Sequence, residues 1–160
     1  MEVLIVLILL FLILWMGYAL HRSLKSHILL ANPTPPSAYN TFVYLSGTAQ
    51  YRQVCPVDTQ FFSHVGEFGL QLDRDEVFEL WLTDHHHTVS KKLFTPGAFY
   101  EFYDDDFRLV NDDSTFAYLG KTIFLETDSL RLLACILDVE FRGDLFDRMT
   151  LEAAVWYKES

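Results

Sequence analysis

The sequence predicts an α+β domain, an antiparallel sheet with helices packed on one face, preceded by a single transmembrane helix. Three observations carry this. Residues 3–20 are apolar and free of charge. Short β-branched and aromatic runs recur through the rest of the chain, at Thr41–Ser46, Val77–Leu82, Val89–Thr95 and Lys121–Glu126. Apolar residues also recur at helical spacing, as in Phe61, Val65 and Phe68, and in Leu130, Leu133, Ala134, Leu137 and Phe141.

The first element sets the organisation. At ~1.5 Å per residue, residues 3–20 cross a hydrocarbon core of roughly 30 Å. Trp15 and Tyr18 lie near one end, where amphipathic rings favour the headgroup layer. Only Glu2 precedes the span as a charged side chain, whereas Arg22 and Lys25 follow it. The positive-inside tendency then puts the N-terminus outside and the domain in the cytoplasm. Residues 21–40 follow as a short linker, with Pro33, Pro35 and Pro36 favouring extended polyproline II. Residues 41–160 form one domain.

Within the domain, Thr41–Ser46 is a strand closed by Gly47. Pro56, Asp58 and Thr59 offer a helix start, and Gly69 its stop. In Val77–Leu82, Phe78, Leu80 and Leu82 share one face. Val89–Thr95 alternates and ends at the turn pair Pro96-Gly97. Residues 98–118, aromatic and acidic, form a hairpin or an irregular excursion. Lys121–Glu126 is a strand, and Thr127 or Asp128 caps the second helix, which Gly143 ends. A strand through Leu132–Phe141 is the alternative, because that run is apolar on nearly every side. Asp144–Asp147 is a short strand, and Leu151–Lys158 adds a last helical turn or two.

With the helices covering Phe42, Phe78, Phe94 and Ile123, the other sheet face stays open. Strand alternation puts Val43, Leu45, Val77, Leu93, Thr95, Thr122 and Phe124 there. An exposed, half-apolar face marks a partner site. Net charge is −10, with 12 Lys and Arg against 22 Asp and Glu. That balance argues against nucleic acid and for a basic or apolar partner. Cys55 and Cys135 are the only cysteines and would be reduced thiols in the cytoplasm.

Three stretches resemble the C-terminal domain of the ZipA family of cell-division membrane adaptors. They are the run from Val43 through FFSHVGEFG to VFELW, then LFTPGAF, then GKTIF followed by LRLLACIL and GDLFD. The resemblance implies that the domain binds the C-terminal peptide of FtsZ in an apolar groove on the open sheet face, tethering it to the bacterial inner membrane. It implies a partner-binding set of Val43, Leu45, Asp75, Val77, Leu93, Thr95, Thr122 and Phe124. Asp75 and Lys91 fall where the family usually has apolar residues.

No catalytic constellation appears, so no enzyme activity and no cofactor are expected. His85, His86 and His87 are adjacent and do not converge on one metal without a wrapping loop. Asp104–Asp106 and Asp112–Asp113 lack the spacing and glycine of an EF-hand. The alternative function is an acidic, membrane-bound inhibitor or immunity-type protein that masks a basic target.

Overall fold

A computed structural model describes residues 34–48, 50–58, 64–105 and 113–158. The expected membrane span, its flanking charges and most of the linker lie outside the described residues. Among the described residues no helix is long and apolar enough to cross a membrane. Thr34–Ser160 forms one compact unit.

The domain is built almost entirely from strands, which overturns the α+β expectation. In chain order they are β1 (Ala38–Leu45), β2 (Arg52–Asp58), β3 (His64–Arg74), β4 (Val77–Asp84), β5 (Thr88–Phe94), helix α1 (Pro96–Asp105), β6 (Ser114–Phe116), β7 (Thr122–Glu126), β8 (Leu130–Arg142) and β9 (Leu145–Tyr157). They form two sheets, ordered β1-β9-β8-β7 and β2-β3-β4-β5-β6. Within each sheet consecutive strands pair, except that β9 returns to pair with β1, and the chain changes sheet between β1 and β2 and between β6 and β7. Every pairing is antiparallel apart from β5 with β6, which α1 connects as a parallel crossover.

All three helices expected within the domain are strands in the structure. Pro56 sits in β2, a sheet edge, where its missing N–H costs no ladder bond on the open side. Val65 and Phe68 lie in β3, and Gly69 continues that strand instead of ending a helix. A Cβ on Gly69 would come within 2.7 Å of the Trp81 ring and 2.4 Å of the Gln53 carbonyl oxygen. The glycine is there so that the indole can lie across the strand. Leu130–Arg142 is the strand alternative to the second helix, with Leu130, Leu132, Ala134 and Ile136 all buried. Gly143, read as a helix stop, has φ +63° in the two-residue turn between Arg142 and Leu145, the conformation a tight hairpin requires. The last helical turn expected over Leu151–Lys158 is absent, because Leu151–Tyr157 belongs to β9.

The helix that does form lies in the stretch left undecided. Pro96-Gly97 starts it instead of closing a turn. Thr95 is its N-cap: its Oγ1 accepts from the Ala98 N–H at 3.3 Å, and its carbonyl from the Phe99 N–H at 2.9 Å. Pro96 then occupies the first helical position, where no N–H is needed. Ala98 and Phe99 of α1 pack on Val77 and Phe94, on the outer side of the five-stranded sheet.

The main core lies between the sheets. Phe42, Leu151 and Val155 from one sheet meet Phe68, Phe78 and Leu82 from the other in one buried cluster. Phe78 is packed edge-on against Tyr44, Tyr51 and Phe146 at centroid distances of 5.0, 5.9 and 4.8 Å. What covers Phe42, Phe78 and Ile123 is therefore the opposing sheet, and only Phe94 is covered by a helix.

Asp84, 8% exposed, closes one end of the domain. Its Oδ1 accepts from the His86 and His87 backbone N–H groups, both at 2.8 Å. Its Oδ2 accepts from the Ser129 N–H at 3.2 Å and the Ser129 hydroxyl at 2.9 Å. One carboxylate thus ties the β4–β5 turn of one sheet to the β7–β8 turn of the other.

Candidate functional site

The expected binding residues divide into two groups. Val43, Leu45, Thr122 and Phe124 point outward from the four-stranded sheet, and Val43, Leu45 and Phe124 are 51, 57 and 50% exposed. Val77, Leu93 and Thr95 are buried at 2, 0 and 0% and cannot touch a partner. Val77 lies under α1, Leu93 faces the core between the sheets, and Thr95 caps α1. Asp75 is exposed in the β3–β4 turn, where its carbonyl accepts from the Phe146 N–H at 3.1 Å. The single open sheet therefore becomes two sheets, and the outward face of only one retains candidates.

That face is legible from strand register, because directly paired residues point to the same side. One row runs Tyr39–Ala154–Leu133–Phe124 across β1, β9, β8 and β7. The next runs Thr41–Glu152–Cys135–Thr122, and the next Val43–Thr150–Asp138. The apolar groups concentrate on the two edge strands, where Tyr39 is 45% exposed. On the central β9, by contrast, Glu152, Ala154 and Trp156 are buried. The Trp156 indole donates to the Thr34 carbonyl at 2.9 Å, which fixes the chain just before β1 against this face.

Charges frame the face at both ends and are paired. Arg148 holds Glu140 at 2.6 Å and Asp138 at 2.9 Å on one end. Lys158 and Arg131 hold Glu126 at 2.7 and 3.3 Å on the other, and these bonds keep the Glu126 carboxyl below its usual range. The Arg131 guanidinium also lies 5.7 Å from the centre of the Phe124 ring.

Glu152 differs. It is 3% exposed, yet it stands on the outward side of the sheet. Its Oε1 accepts from the Tyr39 hydroxyl, whereas its Oε2 is buried without a hydrogen-bond partner among the described residues. Burial, with the Glu152 hydrogen bond next, raises the Tyr39 phenol above its ordinary value. Cys135, directly opposite on β8, is pushed up by burial and then by the Glu152 charge, so it stays a neutral thiol. Glu152 is not among the residues the sequence pattern selects, because Leu151–Lys158 also fits a helical turn or two. The signal was present in the period-two pattern of Leu151, Ala153 and Val155 on the core side.

Phe124 also stands at the rim of a cleft of about 440 Å³ between β7 and the first half of β5, with Ser90, Lys91 and Glu126 among its walls. Lys91 is opposite the core residue Leu80, so an inward-directed charge sits on this strand.

Neither thiol is an activated nucleophile, since burial raises Cys55 as well. His85, His86 and His87 are all exposed, and among the described residues no group of His, Cys, Asp and Glu could hold a metal ion. The backbone of the histidine turn serves Asp84 instead. Asp113 is the one described side chain of the acidic runs; the others lie outside the described side chains.

These features define an all-β domain of two facing sheets, with a partly apolar outer face on the smaller one. No protein-family model, curated protein or solved structure matches the chain.

Proposed function

We propose that the protein is a membrane-tethered adaptor whose β domain docks a short segment of a partner protein on the outward face of the four-stranded sheet. One observation carries this: Tyr39, Val43, Leu45 and Phe124 are large apolar side chains, each at least 45% exposed, on the side of a sheet that faces away from its core. The paired charges at both ends supply a polar rim around them, the anatomy of a docking surface. The tether is residues 3–20, long and apolar enough to span a bilayer.

The FtsZ tail remains a first peptide to test, on the strength of the resemblance alone. The α+β groove that the resemblance implied is absent, and the partner class is otherwise open. The test is titration of that tail, and of a displayed peptide library, onto the unit Thr34–Ser160. Binding that Phe124→Ala weakens at least tenfold, with an unchanged melt, is the expected result. Binding that survives both Phe124→Ala and Val43→Ala but collapses with added salt would favour acidic masking of a basic target instead.

A further inference from the structure

We propose that Glu152 is the recognition point for one cationic side chain, a lysine or arginine carried by a partner peptide whose apolar residues rest on Val43 and Phe124. The inference deepens the adaptor reading and rests on it.

The argument begins with what Glu152 lacks. A buried carboxylate oxygen without a donor loses its hydration and regains nothing, a loss that a donor from a partner would offset. The other carboxylates of this face, Glu126, Asp138 and Glu140, each have a lysine or arginine partner. Among the described residues Glu152 has only the Tyr39 hydroxyl, on Oε1, and its Oε2 has none. The groups across from it are Thr41 and Cys135, neither of which brings a positive charge. A chain with net charge −10 already favours a basic partner over an acidic one.

Position then selects the peptide. With strands ~4.8 Å apart and alternate residues ~6.7 Å apart along them, Glu152 lies roughly 8 Å from Val43 and roughly 12 Å from Phe124. The two apolar side chains are on opposite sides of it, one strand away on β1 and two strands away on β7. An extended peptide at ~3.4 Å per residue would place its cation about two residues from one apolar anchor and three or four from the other. Tyr39, 45% exposed, is the cover that must swing aside, and its hydroxyl is the donor that the incoming cation replaces. A charge pair formed in the desolvated centre of a docking face contributes specificity, because a partner without the cation leaves the carboxylate buried and unpaired.

The experiment uses the full chain in lipid nanodiscs and two synthetic peptide libraries. In one, a lysine lies two residues after an apolar position and three or four before another. The second has norleucine in place of that lysine. The expected result is at least tenfold tighter binding by the best lysine peptide than by its norleucine twin. In Glu152→Gln that preference should fall below twofold, with the norleucine peptide unaffected. Tyr39→Phe keeps the carboxylate and should retain or enlarge the preference, which covers the case of a Gln variant that folds poorly. Equal binding of the twins by wild type would overturn this inference and leave the adaptor reading standing. Binding of neither library up to millimolar concentration would overturn both.

Discussion

Replacing Asp84 offers the sharpest test of how the two sheets are held in register. Its carboxylate accepts four hydrogen bonds, two from the His86 and His87 backbone and two from Ser129. Hydrogen bonds to a charged group each contribute about 1.5–3 kcal/mol, but four on one carboxylate are not additive. The histidine turn is exposed, so water can replace part of the loss there; Ser129 is half-buried and has less access. Asp84→Ala should therefore destabilise the domain by about 3 kcal/mol. Asp84→Asn should cost about 1–2 kcal/mol, because its amide would present donors to donors on one side. Burial opposes the charge of Asp84, but its hydrogen bonds, those from the His86 and His87 backbone first, outweigh it and hold the carboxyl well below the usual range. A depressed folded-state pKa means that the unfolded chain takes up the proton first. Its contribution is present above the unfolded value of about 3.9 and is lost as pH falls below that. The wild-type advantage over Asp84→Asn should accordingly shrink between about pH 4 and pH 2. Urea unfolding of the unit Thr34–Ser160, followed by tryptophan fluorescence at pH 7, 5, 3.5 and 2.5, measures this. An advantage that stays constant or grows on acidification would refute the assignment.

Two further substitutions separate core from surface. Leu93→Ala should cost about 3 kcal/mol, since it opens a cavity at a fully buried position, while Phe124→Ala should shift the urea midpoint by little. Comparable losses at the two would mean that Phe124 is core. Gly69→Ala should destabilise by at least 2 kcal/mol and expose Trp81, seen as a red shift in its emission, because the new Cβ would strike the indole and the Gln53 carbonyl. A melt unchanged from wild type would refute that packing.

Much of the strand content was readable and the architecture was not. Thr41–Ser46, Val77–Leu82, Val89–Thr95 and Lys121–Glu126 were placed correctly, because β-branched and aromatic residues alternate there between clear turn signals. The error began where alternation is masked. Along β8 the outward positions Leu133 and Cys135 are also apolar, so the strand satisfies a helical stripe as well as a period of two. Along β9 Ala153, Ala154 and Val155 do the same. Once those strands were lost, there was no second sheet, and helices had to be invoked as cover. The site reading inherited the error unevenly. Val43, Leu45, Thr122 and Phe124 came from strands whose outward side was read correctly. Leu93 and Val77 were placed on a common open face, although pairing puts them on opposite sides of the five-stranded sheet. Local pattern determines which residues share a side of one strand; it does not say what stands opposite that side.

The return of β9 to β1 has a consequence for biogenesis. Tyr39 and Glu152, which meet across that seam, are 113 residues apart in sequence. β1 emerges from the ribosome early and then waits, unpaired, until β9 has been made. Until then β8 also lacks its main neighbour, and the four-stranded sheet consists of separate pieces. Closure at such sequence separation makes folding slow and leaves apolar strand edges bare in the interval. A stop codon within β9 would leave β1 without its partner and β8 without one of its two, so the four-stranded sheet could not close.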